Sequence, residues 1–141
     1  MNKRIDVRKL YDAEDIWGGW SNYQPMIDAF GNVVVQVDDD DYQGDTRVIY
    51  DNDGRIGWLI FGWGSCGGCD ALQACDDIDE VQELCDSLQN GIKWFDSKQE
   101  ALSYFKNKDW ETEWYWHEEE TKRFVKEAID YLSRGKDNGE E

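Results

Sequence analysis

The segment Asp51-Asn52-Asp53-Gly54 lies between two runs rich in β-branched and aromatic residues, Thr46-Arg47-Val48-Ile49-Tyr50 and Arg55-Ile56-Gly57-Trp58-Leu59-Ile60-Phe61. Asn, Asp and Gly tolerate the positive φ that a tight hairpin turn demands, so these two runs are antiparallel neighbours. A third run of strand character, Asn32-Val33-Val34-Val35-Gln36-Val37, follows Gly31 and precedes an acidic loop. Three antiparallel strands therefore form the centre of the fold.

The second half has helical periodicity. Ile78, Val81, Leu84, Cys85 and Leu88 share one face, with Asp77 as cap, Glu80 as a first-turn acid and Gly91 beyond the end. Ile92-Lys93-Trp94-Phe95 reads as a short strand, and Ser97-x-x-Glu100 is a capping box opening a helix with Ala101, Leu102 and Phe105 inward. Residues 110–116 read as one more strand. The last helix begins near His117, favours Glu118, Glu119 and Glu120 at its positive end, carries Phe124, Val125, Ala128, Ile129 and Leu132 inward, and stops at Gly135. Residues 11–30 mix Trp17, Trp20, Tyr23, Met26, Ile27 and Phe30 with Gly18, Gly19 and Pro25, a pattern of short helices or irregular structure packed by aromatics. The expected architecture is α+β: an antiparallel sheet of four to five strands with C-terminal helices covering one face. The chain reads as a single domain over 1–141, with 1–10 and 135–141 peripheral or flexible.

Charge narrows the function classes. The formal net charge is −17, yet 40% of residues are hydrophobic and 14% aromatic, which excludes a disordered acidic tail. Residues 38–90 hold 14 acids against Arg47 and Arg55 alone, with no lysine, so this stretch carries −12 of the total. A direct nucleic-acid surface needs clustered Lys and Arg and is excluded. No run of 18 apolar residues occurs, and Met1-Asn2-Lys3-Arg4 leads into mixed sequence rather than a signal core. The expectation is a soluble, cytoplasmic protein without a membrane partner.

The acids fall in two groups. Asp38, Asp39, Asp40, Asp41 and Asp45 join the first two strands, and Asp76, Asp77, Asp79, Glu80 and Glu83 belong to the first long helix, with Asp86 extending it. An EF-hand reading fails, because the twelfth position counted from Asp39 is Tyr50 and the flanks are strands. Three readings remain: a looser cation site, a solvated loop that discourages strand-edge aggregation, and a cluster of carboxylates that imitates backbone phosphates and occupies a basic groove. On the third reading Asp38, Asp39, Asp40, Asp41, Asp45, Asp76, Asp77, Asp79, Glu80 and Glu83 form the partner-binding surface, a nucleic-acid mimic.

Cys66, Cys69, Cys75 and Cys85 are spaced C-x2-C-x5-C-x9-C. Strand, C-x-x-C and helix is the order of thioredoxin-like redox sites, but the one proline, Pro25, precedes the pair. The metal reading holds zinc on Cys66, Cys69, Cys75 and Cys85, with His117 able to substitute for one sulfur, and it has only one tight pair. A disulfide between Cys69 and Cys75 conflicts with a reducing cytosol. Glycines permitting a tight turn, with cysteines filling small buried volumes, is the plainest reading. Trp110, Trp114, Tyr115 and Trp116 serve either a ligand groove or the core. No catalytic constellation is recognisable, so the chain is not expected to be an enzyme.

The segments Tyr42-Gln43-Gly44-Asp45-Thr46-Arg47-Val48 and Gly62-Trp63-Gly64-Ser65-Cys66-Gly67-Gly68-Cys69-Asp70-Ala71-Leu72-Gln73-Ala74-Cys75 resemble those of a group of small uncharacterised acidic proteins encoded by bacteriophages and prophages. The similarity extends through residues 110–132 and so covers most of the chain. The resemblance implies a setting, a phage accessory protein in a bacterial host cytoplasm, and carries over no functional residue. Small acidic phage proteins without catalytic motifs are commonly inhibitors of host machinery, including anti-CRISPR and other anti-defence factors. The function expected is thus an acidic protein that inhibits a basic host protein, with a cysteine-based zinc or redox protein as the alternative.

Overall fold

The structure, a computed structural model, describes residues 4–12, 22–39, 44–64, 70–110 and 117–138. Strands β1 (Val33–Asp38), β2 (Gly44–Asn52), β3 (Arg55–Trp63) and β4 (Lys93–Phe95) form one antiparallel sheet in the order β1-β2-β3-β4. Helices α1 (Gln24–Ala29), α2 (Ile78–Asn90), α3 (Lys98–Asn107) and α4 (Glu118–Asn138) surround it, and a 3-10 turn spans Val7–Lys9. The class is α+β, as the sequence implies.

The hairpin between β2 and β3 closes where the sequence places it. Asp53 (φ 57°) and Gly54 (φ 95°) both occupy the left-handed region, as a two-residue turn requires. Asp51 Oδ1 accepts the Gly54 N–H at 2.8 Å, and pairing then runs unbroken from Asn52↔Arg55 to Gly44↔Trp63.

Both faces of the sheet are covered, where the sequence suggested one. Val48, Tyr50, Leu59 and Phe61 pack with Val7, Met26, Ile27, Val81 and Cys85. On the opposite face Ile49, Ile56 and Trp58 pack with Ala101, Phe105, Phe124, Ala128 and Leu132. The reason lies in β2: Val48, Ile49 and Tyr50 are consecutive and all fully buried, and a strand buried on both faces loses the apolar/polar alternation of a half-solvated one.

Both capping boxes form. Ser97 Oγ accepts the Glu100 N–H at 3.1 Å and Glu100 Oε1 accepts the Asp96 N–H at 3.0 Å. Asp77 Oδ1 likewise accepts from Glu80 N, and Glu80 Oε1 from Asp76 N. At the far end of α4, Tyr131 donates to Asp51, and Lys98 lies 3.7 Å from the same carboxylate.

Within residues 4–10, Val7 is fully buried, its N–H donates to Gln82 Oε1 at 3.1 Å, and Gln82 Nε2 donates to the Ile5 carbonyl at 2.6 Å, while Arg4, Asp6, Arg8 and Lys9 are exposed. Gly135 does not end α4, which continues to Asn138. Of the fifth strand expected over 110–116, residues 111–116 lie outside the described residues, as do 13–21 of the aromatic N-terminal segment.

Candidate functional site

The pleat separates the first two acids of the acidic loop. Asp38, the last residue of β1, is exposed and accepts a hydrogen bond from Thr46 Oγ1 at 2.8 Å. Asp39 turns the other way and is buried. Its Oδ1 accepts from Arg47 Nη1 at 2.7 Å, and its Oδ2 accepts the Asp45 N–H, also at 2.7 Å. Gly44 is required beside it, since a Cβ there would stand 2.6 Å from Asp39 Cβ. Asp39 is thus withdrawn from the expected partner-binding surface: a buried guanidinium needs a counter-charge, and Asp39 supplies it.

This pair is the centre of a larger polar cluster that ties α4 to the sheet. Arg47 Nη2 donates to Thr121 Oγ1 at 3.2 Å, and the Thr121 hydroxyl donates in turn to the His117 carbonyl at 3.0 Å. His117 Nε2 lies 3.5 Å from Asp39 Oδ2, and His117 Nδ1 lies 3.9 Å from Glu120 Oε1. Donor atoms of Asp39, His117 and Glu120 fall within 4.8 Å of one another, a donor set of the kind that holds a divalent cation. Arg47 already provides the positive charge there, which makes the arrangement a structural lock. The cluster escaped the sequence reading; its signal was an arginine inside an otherwise apolar strand, Thr46-Arg47-Val48-Ile49-Tyr50.

The second acidic group is presented as expected. Asp76, Asp77, Asp79, Glu80 and Glu83 are all exposed at the start of α2. Two arginines from the N-terminal segment partly neutralise this helix: Arg8 Nη2 lies 3.0 Å from Asp79 Oδ1, and Arg4 Nη2 lies 2.9 Å from Asp86 Oδ2. The Arg4 hydrogen bond holds the Asp86 carboxyl below its ordinary range. Helix α2 and the Asp38 side chain lie on the same side of the sheet, whereas Asp45 is on the other, 4.0 Å from Arg47. Asp40 and Asp41 lie outside the described residues.

Beside Asp38 a cleft of about 310 Å³ opens between β1, the start of α1 and the end of β3. Its wall includes Tyr23, Trp63 and the amides of Gln24 and Gln36, which exchange reciprocal hydrogen bonds at 3.0 Å. Trp63 Nε1 donates to Thr46 Oγ1 at 2.9 Å. Asp70, also in the wall, is buried and accepts from the N–H groups of Gly64 and Gln73.

The cysteines divide. Cys66 and Cys69 lie outside the described residues. Cys85 is fully buried in the apolar core, the small-hydrophobe role. Cys75 is half-buried, with Sγ 3.4 Å from the Ala71 carbonyl. Burial pushes both thiols up to about 11, aided at Cys75 by Glu80 and Asp77 and at Cys85 by Asp86. Neither is an activated thiolate at neutral pH. Trp110 is a packing residue, set against Trp58, Phe105 and Phe124 with its Nε1 donating to the Phe105 carbonyl at 2.8 Å. Trp114, Tyr115 and Trp116 lie outside the described residues.

Among the described residues no helix is long and apolar enough to cross a membrane. Compared with protein-family models, curated proteins and solved structures, the chain finds no match in any of the three.

Proposed function

We propose that this chain is a binding protein, not an enzyme, whose acidic surface occupies a basic, nucleic-acid-binding surface of a partner protein. The observation that supports this is the start of α2, where Asp76, Asp77, Asp79, Glu80 and Glu83 face solvent within about two helical turns. Among the described residues, the ion pairs reaching that helix come only from Arg4 and Arg8. Clustered exposed carboxylates of one sign steer a basic partner into contact and keep wrong partners away. Asp38 adds to this surface from the same side of the sheet. Asp39 does not, because its charge is spent on Arg47.

The likeness to small acidic phage proteins gives the proposal its setting: a bacterial cytoplasm, with a host defence nuclease as the partner and inhibition as the outcome. The test is capture of the partner from a bacterial lysate at low salt, followed by affinity measurement across a salt series and competition with nucleic acid. Affinity that falls steeply with salt, and mutually exclusive binding of nucleic acid, are expected. Affinity indifferent to salt, or simultaneous binding of both, overturns the proposal.

A further inference from the structure

The Thr46 hydroxyl joins the two ends of the cleft. It accepts from Trp63 Nε1 at 2.9 Å and donates to Asp38 Oδ1 at 2.8 Å. One buried side chain therefore fixes an indole ring and an exposed carboxylate relative to each other. Thr46 can do this because it sits at the middle of three strands, paired with Asp38 on one side and Phe61 on the other. Tyr23 is equally fixed: its ring centroid lies 4.8 Å from that of Phe61, and its hydroxyl accepts the Leu72 N–H at 3.1 Å.

We infer that the cleft bounded by Trp63, Tyr23 and Asp38 is a receptor for one guanidinium group. Three observations carry this. The first is charge: the cleft wall contains Asp38, Asp39 and Asp70 and, among the described residues, no Lys, Arg or His. Asp39 is neutralised by Arg47, and Asp70 is engaged by two backbone N–H groups, so Asp38 is the carboxylate left to meet a ligand. It accepts from Thr46 and, at 3.3 Å or more, from Gln36, while a carboxylate offers about four acceptor sites.

The second is shape and size. About 310 Å³ is at the small end for a ligand site, ample for a guanidinium with its alkyl stem and too small for a folded segment. The third is the presence of aromatic side chains, Trp63 and Tyr23, in the same wall as the carboxylate. A guanidinium is planar, weakly hydrated and permanently charged; it stacks on aromatic rings and donates in a fork to a carboxylate, whereas an ammonium is a compact, strongly hydrated point charge. The natural source of such a group is an arginine of the basic partner, and that identification rests on the function proposed above. The receptor chemistry itself does not depend on it.

The test uses the full chain, isotope-labelled, with ethylguanidinium as the probe and the Trp63 indole N–H signal as the readout, assigned by its loss in Trp63→Phe. Saturable shifts with a millimolar Kd are expected at low ionic strength. Ethylammonium should bind at least fivefold more weakly, and Asp38→Asn, which keeps an acceptor for Thr46, should weaken ethylguanidinium binding at least tenfold with the other signals unmoved. Linear shifts matched by sodium chloride, equal binding by Asp38→Asn, or tighter binding of a neutral sugar would overturn the inference. Because this experiment contains no partner protein, its failure leaves the acidic-face proposal standing, and failure of the capture experiment leaves the receptor standing.

Discussion

Arg47 and Asp39 meet at 2.7 Å in the interior, the arginine side chain 2% exposed and the aspartate not at all. One of the acids in the lysine-free stretch is therefore an internal counter-ion. Removing one member of such a pair leaves the other charged and buried, which costs about 3 to 5 kcal/mol. Asp39→Asn is expected to lower unfolding stability by about 3 kcal/mol in urea titrations. Arg47→Met added to Asp39→Asn should cost less than the sum of the single changes, since the double variant contains no orphaned charge. Additive losses would show that the two side chains are not coupled.

The arginines that pair with α2 make an opposite kind of prediction. Arg4 and Arg8 are exposed and pair at the surface, where ion pairs contribute little. Replacing both with Gln should leave the unfolding midpoint nearly unchanged. It should also tighten capture of the basic partner, because Asp79 and Asp86 lose their neutralising groups. Weaker capture with stability preserved would argue that the arginines themselves touch the partner.

Asp77 separates folding from binding within the same acidic face. Its carboxylate caps α2 through the Glu80 N–H, so Asp77→Ala should cost about 1 kcal/mol by thermal or chemical unfolding while Asp77→Asn stays near the wild-type value. Partner affinity should respond to charge instead and fall in both variants.

The thiols fix an alkaline limit. Cys75 and Cys85 are raised from 9.0 to about 11, and Tyr131 from 10.0 to about 12, each chiefly by burial. A group held neutral in the fold ionises more readily in the unfolded chain, so its stabilisation is complete below pH 9 and is lost as pH rises toward 11. Unfolding midpoints should therefore fall above pH 9. Peptide-resolved alkylation at pH 8 should label Cys75 and Cys85 about a hundredfold more slowly than an ordinary thiol, given their smaller thiolate fraction. Rapid labelling of Cys85 would contradict its burial.

Local chemistry made much of this fold legible. Asp53-Gly54 specifies a turn, and Ser97 with Glu100 specifies a helix start, because each depends on residues a few positions apart. The double covering of the sheet was missed, although Val48-Ile49-Tyr50 is a run too continuously apolar for a strand with one wet face. The inward turn of Asp39 was not legible. Consecutive aspartates look alike until the register Asp38↔Thr46 turns Asp38 and Asp39 to opposite faces, and register is set by partners elsewhere in the chain. The docking of Val7 escaped for the same reason: it depends on Gln82, 75 residues away. The cleft is likewise a meeting of three distant segments, joined by the Thr46 hydroxyl, the Gln24–Gln36 amide pair and the Tyr23–Phe61 ring contact.

Helix α4 touches strand β2 at two polar points, Thr121 with Arg47 and Tyr131 with Asp51. Four strand residues cover about 13 Å and ten helical residues about 15 Å, so the two spans match and run in the same direction. The strand thereby acts as a gauge for the helix. Inserting a single residue between 121 and 131 would swing one anchor about 100° away from its partner. Neither local helix propensity nor the apolar stripe would register such an error, yet only one of the two fastenings could then close. Length in this helix is measured against the sheet, which makes it far less tolerant of insertion than its exposed, charged outer surface suggests.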